Sequence, residues 1–217
     1  VYARSKRRKR TVVITGGRGN LATKLATHLT HQLPELRVLL LEHPDFAKQD
    51  SAPPPDGAHV VLADLTDPHG AWCDALDGAY ALVHFSAVNP YPNASWEESA
   101  ASMSHTFNVF LAAKSRGVRR VIFASSNHVM GGYKDLPDHG AVTPACPPRC
   151  GTLLHDPADR AKSGDAVAYA AAKLAGEQLA RSLAAMSGCA TTFAALRIGW
   201  CQPGENHPST LNPSGSP

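Results

Sequence analysis

A short glycine-rich segment between an apolar run and a helical pattern is the feature that most constrains the fold of this chain. Thr11–Thr15 is rich in β-branched residues and is followed by the sequence Gly-Gly-Arg-Gly-Asn-Leu-Ala. Glycines at such a turn let the backbone approach a pyrophosphate, and the N-terminus of the next helix supplies N–H donors and the positive end of a dipole. The strand–turn–helix setting makes this spacing far more specific than the glycines alone.

Five further apolar, β-rich segments follow, and helical patterns separate them. They lie at residues 37–41, 59–63, 80–85, 120–125 and 191–198. Near-continuous apolar strands that alternate with helices are typical of a parallel sheet covered on both faces. We therefore predict the α/β class, with a Rossmann-type doubly wound parallel sheet of about six strands.

Two of the intervening helices carry clear boundary signals. In the first, leucines recur at every fourth position from Leu21, and Pro34 ends the pattern. Another helix is expected to begin near Trp96, because Ser95 and Glu98 form a capping-box pair, and to end at Gly117.

The domain organisation follows from composition along the chain. We predict a basic tail at 1–10, a nucleotide-binding domain at 11–201 and an irregular tail rich in Pro, Gly, Ser and Asn at 202–217. Within the domain, a proline-rich insertion at about 136–159 is expected to form an ordered loop or lid on the substrate side.

Charge and cysteine content exclude several classes of function. The net charge of +3 depends on six basic residues before the first strand; without them, 15 basic residues face 18 acidic ones, so we expect no nucleic-acid partner. No apolar run approaches the roughly 18–20 residues of a membrane span.

Five scattered cysteines favour a reducing, cytoplasmic compartment. A zinc site at Cys146 and Cys150 with His139 and His155 is disfavoured by its irregular spacing, and we predict no metal.

The glycine-rich turn and two later strand ends predict the cofactor. Gly16, Gly19, Asn20 and Leu21 are expected to hold a pyrophosphate, with an unliganded tight turn as the alternative. About 20 residues further on, a carboxylate at the end of the second strand can accept hydrogen bonds from both adenosine ribose hydroxyls and repel a 2′-phosphate, which favours NAD over NADP.

That carboxylate is Glu42, with Arg18 and His43 close enough to weaken the preference. After the third strand, Asp64 and Leu65 are placed to receive the adenine amino group; the alternative for Asp64 is a helix N-cap.

Three residues predict the reaction. Tyr169 and Lys173 are four residues apart in a helical pattern and so share one helix face, where the ammonium is expected to lower the tyrosine pKa toward that of a general base. Ser126, at the end of the fifth strand, is expected to hydrogen-bond the substrate oxygen.

With these motifs together, the chain from Thr11 to Pro203 resembles the extended short-chain dehydrogenase/reductase superfamily. The segments 124–131 and 196–199 look like its uronate dehydrogenase branch, in which NAD oxidises C1 of a hexuronate to a lactone. The resemblance implies Ser126 as the hydroxyl-orienting residue, Tyr169 as the base, and Lys173 as the group that tunes Tyr169 and holds the nicotinamide ribose, with Tyr169 also beside the cofactor.

The same resemblance implies four substrate-side residues: Asn89, Asn127, His128 and Arg197. Arg197 would bind the substrate carboxylate bidentately, and we expect it to be partly exposed and directed toward the Ser126–Tyr169 cleft. An internal salt bridge is the alternative for Arg197, and a structural hydrogen-bonding role is favoured for His128.

The chain also departs from that branch. The interval between Ser126 and Tyr169 is longer, Ser102 stands where the superfamily tends to have Asn, and the final strand and helices of the substrate region are missing, so we expect a truncated substrate pocket. The leading hypothesis is an NAD-dependent dehydrogenase of a uronate or similar sugar acid. A sugar-nucleotide epimerase or dehydratase and a non-catalytic dinucleotide-binding regulator are the alternatives, and a homodimer or higher oligomer is left open.

Overall fold

The computed structural model describes residues 9–47, 53–89, 94–136, 140–151, 163–186 and 188–199, together with Cys201 and Gly204. Most of the predicted basic tail and of the irregular tail at 202–217 lies outside the described residues. The predicted domain bounds at both ends therefore stay predictions.

Six parallel strands form one sheet. They are β1 (Arg10–Thr15), β2 (Leu36–Glu42), β3 (Ala58–Leu62), β4 (Ala81–His84), β5 (Arg120–Ser126) and β6 (Thr192–Ile198). Their order is β3-β2-β1-β4-β5-β6, and each neighbouring pair is parallel. The predicted Rossmann-type fold is confirmed.

Helices connect the strands across both faces of the sheet. They are α1 (Asn20–Gln32), the single turn α2 (Pro44–Ala47), α3 (Trp96–Ser115) and α4 (Ser163–Ala184), with 3-10 helices at Ala71–Leu76 and Asn127–Asp135. Both long helices predicted from boundary signals are present. None of the described helices is long and apolar enough to cross a bilayer.

Alternate residues of each central strand pack into two separate cores. On one face, Val12 and Ile14 of β1 pack in a cluster with Ala22 and Ala26 of α1. On the other, Val13 of β1 belongs to the larger cluster that includes residues of α3 and α4. Because successive side chains of a strand point to opposite faces, this division explains why the strands are apolar throughout.

The deepest residues of α1 are its alanines and not its leucines. Ala22 and Ala26 are fully buried, Leu25 and Leu29 are partly buried beside them, and Leu33 at the end of the helix is exposed. Small side chains on the inner face let α1 lie close to the sheet, which brings the start of the helix near the ends of β1 and β2.

The capping box of α3 is formed as predicted. Ser95 Oγ accepts a hydrogen bond from the N–H of Glu98 at 3.2 Å, and Glu98 Oε2 accepts one from the N–H of Ser95 at 2.8 Å. The helix ends before Gly117, whose φ of +69° is in the left-handed region that glycine tolerates.

Close packing of α4 on β5 leads to a stability prediction. A Cβ added at Gly176 would meet the buried ring of Phe123 at 2.7 Å, whereas a Cβ at Gly164 in the same helix would meet nothing within 4 Å. Gly176→Ala should therefore destabilise the fold by about 1–3 kcal/mol through overpacking. Gly164→Ala is the matched control and should leave the melting temperature unchanged or slightly raised. Equal melting temperatures for the two variants would contradict this packing.

Candidate active site

The carboxyl ends of β1 and β4 form a crevice at the point where the strand order reverses. After β1 the chain passes to α1 on one face of the sheet, and after β4 it passes to α3 on the other. In open α/β sheets, ligands bind in such a crevice beyond the carboxyl ends of the strands. Candidate residues from every strand are therefore expected along this edge.

The glycine-rich turn lies against both strands next to β1. Gly16 has a φ of +69°, and a Cβ there would meet Ser86 Cα at 3.1 Å, while a Cβ at Gly17 would meet Leu40 Cβ at 2.7 Å. The N–H of Gly19 donates to the carbonyl of Gly16 at 2.8 Å. Side chains would force the turn away from its neighbours, so glycine is required for this close approach.

The start of α1 is suited to an anion. The helix begins at Asn20, its N-cap is Gly19, and its first turn has neither a side-chain cap nor an acidic residue. The first N–H groups of a helix have no partners within the helix, and they attract negative charge. The predicted pyrophosphate residues Gly16, Gly19, Asn20 and Leu21 all lie in this turn or at this helix start. They fit the phosphates of a dinucleotide.

Glu42 is buried beside the same turn, with 7% of its surface exposed. Its Oε2 accepts a hydrogen bond from the N–H of Arg18 at 2.7 Å, and its Oε1 accepts one from the N–H of His43 at 2.9 Å. These two contacts fix the carboxylate at the end of β2. The sequence did not reveal that Glu42 also holds the glycine-rich turn, and its contact with a ribose stays a prediction.

Asp64 and Leu65 follow β3 in a tight turn. Asp64 Oδ1 accepts hydrogen bonds from the N–H of Thr66 at 2.9 Å and from its hydroxyl at 2.6 Å, which lower the pKa of Asp64. The N-cap alternative for Asp64 is wrong, because the following 3-10 helix has Gly70 as its N-cap. Asn108 of α3, which sequence reasoning missed, donates to the carbonyl of Leu65 at 2.8 Å and holds this turn.

Ser126 and Tyr169 meet beyond the end of β5. The 3-10 helix that follows Ser126 places His128 beside Tyr169, with ring centres 6.0 Å apart and nearly perpendicular. Burial raises the pKa of Tyr169, and a hydrogen bond with the Ser126 side chain opposes this effect. Ser126 Oγ also accepts from the N–H of His128 at 3.2 Å and donates to Asn127 Oδ1 at 3.3 Å.

Lys173 is buried one helical turn after Tyr169. Its Nζ donates to the carbonyl of Ala124 at 2.9 Å and lies 5.8 Å from the centre of the Tyr169 ring. Burial lowers the pKa of Lys173 to about 8. The prediction that the ammonium lowers the pKa of Tyr169 is wrong for this arrangement, because burial of the hydroxyl is the largest effect on it and the ammonium is bonded to the strand carbonyl.

Arg197 is paired within the protein. Its Nη2 lies 2.8 Å from Glu177 Oε2 and its Nε lies 3.0 Å from Glu177 Oε1, a bidentate arrangement. Arg197 is partly exposed as predicted, but its pairing with Glu177 contradicts the predicted role in binding a substrate carboxylate. Glu177 follows Lys173 by one turn of α4 and so reaches β5 and β6, where Ser125 also donates to it at 2.5 Å.

These contacts lower the pKa of Glu177. Burial alone would raise it, and the hydrogen bonds from Arg197 and Ser125 outweigh burial. The internal salt bridge is thus the alternative that the structure supports for Arg197.

Two further predicted substrate-side residues lie in the loops of this edge. Asn127 begins the 3-10 helix after β5. Asn89 lies in the loop after β4, where its amide donates to Glu98 Oε1 at 3.2 Å. Asn89 is therefore associated with the cap of α3, and none of the described contacts joins it to Ser126.

The described part of the proline-rich segment, Leu136 and residues 140–151, packs at the carboxyl edge of the sheet, and its role as a lid on the substrate side stays a prediction. The N–H of Arg149 donates to the carbonyl of Val129 and the N–H of Gly151 to that of His128, both at 2.9 Å. These contacts join it to the 3-10 helix beyond the carboxyl end of β5. In the described residues no group of three or more His, Cys, Asp or Glu side chains is arranged to hold a metal ion; His139 and His155 lie outside them.

The burial of Lys173 leads to a prediction on pH. Its folded-state pKa of about 8 is below the usual 10.5, so the unfolded chain binds more protons between these values and stability from this group rises with pH there. Below about pH 8 the folded chain must bury the charged ammonium of Lys173, which costs stability. Lys173→Met should remove this dependence, so its melting temperature relative to the unmodified chain should fall as pH rises from 8 to 10.5. If melting temperature plotted against pH gave parallel curves for the two proteins, the lowered pKa of the buried Lys173 would be contradicted.

Comparison with known proteins agrees with this geometry. The uronate dehydrogenase of Pseudomonas syringae pv. tomato is 34% identical over 139 residues, which are 63% of this chain and 46% of that protein. The NAD-dependent glucose-6-phosphate dehydrogenase of Haloferax volcanii is 32% identical over 124 residues, 57% of this chain and 45% of that protein. The chain thus spans about half the length of these curated relatives.

Structural comparison gives the same fold. A solved structure of a mutated uronate dehydrogenase aligns with a TM-score of 0.68 at 24% identity, over 93% of this chain and 63% of that one. The model of the NAD dependent epimerase/dehydratase family matches residues 12–198. The resemblance inferred from the motifs is confirmed, and the chain belongs to the NAD-dependent epimerase/dehydratase family.

Proposed function

We propose that the chain is the dinucleotide-binding part of an NAD-dependent dehydrogenase that oxidises a hydroxyl group of a sugar-like substrate. One observation carries the proposal: Ser126, Tyr169 and Lys173 lie at the same edge of the sheet as the glycine-rich turn. A proton-transfer group beside a dinucleotide crevice is the arrangement that alcohol oxidation needs, because the hydroxyl oxygen loses a proton and the carbon that bears it loses a hydride.

The residues present fit the cofactor. The uncapped start of α1 suits the pyrophosphate, Glu42 suits the adenosine ribose, and Lys173 suits the nicotinamide ribose. When bound, NAD supplies the hydride acceptor. The protein has to place the substrate hydroxyl against it and to accept the proton.

Tyr169 is the proton acceptor in this proposal, and Ser126 orients the substrate oxygen. Because burial raises the pKa of Tyr169, phenolate formation needs a positive charge nearby. Lys173 lies on the same helix face and supplies that charge if its Nζ turns from the carbonyl of Ala124 toward the phenol. A lysine pKa of about 8 leaves the ammonium charged at neutral pH.

A sugar substrate is favoured by the relatives, whose names specify a uronate and glucose 6-phosphate. A uronate is the first substrate to test, because the motifs at 124–131 and 196–199 resemble that branch. The pairing of Arg197 with Glu177 leaves no free guanidinium at that position, so the proposal does not assign it the substrate carboxylate.

The proposal is tested by incubating the longest reading frame that contains this chain with NAD and matched uronates and neutral sugars. Net NADH formation supports the dehydrogenase. NAD retained through purification without net NADH would instead favour an epimerase or dehydratase, and reversible NAD binding without chemistry a regulator. Either of these results would overturn the proposal.

Tyr169→Phe should lower turnover by at least about 10²-fold, because it removes the proton acceptor, and should leave NAD affinity nearly unchanged. Tyr80→Phe is the matched control, since Tyr80 lies at the opposite, amino edge of the sheet beside Arg10 and Arg120. Steady-state kinetics with calorimetric NAD titration measures both effects. A Tyr169→Phe enzyme that kept most of its rate would show that another group accepts the proton.

Glu42 should set the preference for NAD over NADP, because its carboxylate would repel a 2′-phosphate. Glu42→Gln removes the charge and keeps an acceptor for the N–H of Arg18, although it replaces the acceptor for the N–H of His43 by an amide NH2, so it should narrow the difference between the NAD and NADP affinities. Glu42→Ala should narrow it too and also weaken both affinities, because the turn loses its support. Titration of the unmodified chain that showed equal or tighter NADP binding would reject this role.

A further inference from the structure

A buried histidine joins the two walls of the crevice. His84 is the last residue of β4, and none of its surface is exposed. Its Nδ1 lies 2.7 Å from Thr15 Oγ1 at the end of β1, and its Nε2 lies 3.0 Å from Thr106 Oγ1 on α3. Its ring stacks on Phe123 with centres 5.8 Å apart. Sequence reasoning missed it, because one histidine in an apolar strand gives no distinct pattern.

The neighbouring hydrogen bonds determine which nitrogen carries the proton. The hydroxyl of Thr106 donates to the carbonyl of Ser102 at 2.9 Å, so its single hydrogen is used and it must accept from His84. Nε2 is therefore protonated. With Nδ1 unprotonated, the hydroxyl of Thr15 donates to it, and Thr15 Oγ1 can accept the N–H of Ser86 at 3.1 Å. This arrangement satisfies every donor and acceptor in the group.

The ring is held in its neutral form. Burial lowers the pKa of His84 to about 3, and the positive charges of Lys173 and His105 act in the same direction. Among the residues that the structure describes, no carboxylate contributes to that shift in the pKa of His84. His84 therefore keeps one donor and one acceptor throughout the pH range in which the fold is expected to work.

The hydrogen-bonded group extends into the loop after β4. Ser102 Oγ accepts the N–H of Val88 at 2.9 Å and donates to the carbonyl of Glu98 at 2.9 Å. Two amides of the loop thus end on hydroxyls. The N–H of Ser86 donates to Thr15 Oγ1, which bonds His84 directly. The N–H of Val88 donates to Ser102 Oγ, and Ser102 is joined to His84 only through its backbone carbonyl, which accepts from Thr106. Ser86 is also the residue nearest to a Cβ added at Gly16, at 3.1 Å.

We propose that His84 is a positioning residue that, as a neutral Nε2–H imidazole, holds the loop 85–89 at a fixed distance from the glycine-rich turn so that the crevice fits a dinucleotide. The proposal rests on the proposed NAD-binding function. A histidine that only filled space between β4 and Phe123 would act through its volume, whereas a positioning histidine acts through its two hydrogen bonds. The hydroxyl partners allow these roles to be separated without changing the histidine.

Thr106 is the position to vary, because it is buried on α3 and, among the described contacts, its hydroxyl bonds only His84 and the carbonyl of Ser102. Thr106→Val keeps the branched shape and removes the acceptor for Nε2–H. Thr106→Ser is the matched control that keeps the hydroxyl. We expect Thr106→Val to speed hydrogen exchange at the Ser86 amide and to weaken NAD binding by roughly tenfold, about 1.4 kcal/mol. Thr106→Ser should retain the exchange rate and the affinity of the unmodified chain.

Nitrogen NMR of the ligand-free chain tests the tautomer independently of NAD. We expect His84 to show a protonated Nε2 and an unprotonated Nδ1 that do not change between pH 5 and pH 9. A protonated Nδ1, or a titration in this range, would overturn the proposal even if NAD binds. His84→Phe, if it folds, should reproduce the loss seen in Thr106→Val.

The remaining outcomes distinguish this proposal from the function on which it rests. If Thr106→Val lowers the melting temperature but leaves NAD affinity unchanged, His84 is structural only and the positioning role is rejected. If the unmodified chain binds no NAD, the proposed function fails and with it the positioning of a dinucleotide. The exchange rate of the Ser86 amide in Thr106→Val then still shows whether the hydrogen bonds of His84 hold the loop.

Discussion

The close approach of the glycine-rich turn to the strands beside β1 is the constraint on which the rest of the site depends. Gly17 lies against Leu40 of β2, where a Cβ would clash at 2.7 Å, and Gly16 lies against Ser86 after β4, where a Cβ would be 3.1 Å away and the φ of +69° disfavours a side chain. The turn can be this close only because α1 presents alanines to the sheet. As a result, the uncapped start of α1 opens directly into the crevice between β1 and β4.

The helices α3 and α4, on the other face of the sheet, position different parts of the site. α3 holds turns at the carboxyl edge of the sheet: Asn108 bonds the turn after β3, Thr106 bonds His84 at the end of β4, and Ser102 bonds the loop after β4. α4 carries Tyr169 and Lys173, the proposed reaction residues, on successive turns that face the end of β5. Hydrogen bonds to backbone groups carry most of these contacts, so the site is built by positioning loops on rigid elements.

The sequence predicted the features that depend on local pattern. Apolar runs predicted the strands, a Ser–Glu pair predicted the start of α3, and the four-residue spacing predicted that Tyr169 and Lys173 share a face. Features that depend on partners far along the chain were not predictable. Arg197 and Glu177 lie on different elements, and nothing in either segment indicates that they pair. The bond from Lys173 to a strand carbonyl and the role of His84 depend on tertiary burial in the same way.

The central claim is that a dinucleotide lies across the carboxyl edge of the sheet, between β1 and β4. Amide NMR spectra of the isotope-labelled chain during titration with NAD test it most directly. The account predicts shifts at 16–21, 42–43, 64–66 and 86–88, with the turns at Gly57, Gly78 and Gly117 on the amino edge unchanged. Shifts that cluster on the amino edge, or none at saturating NAD, would contradict it.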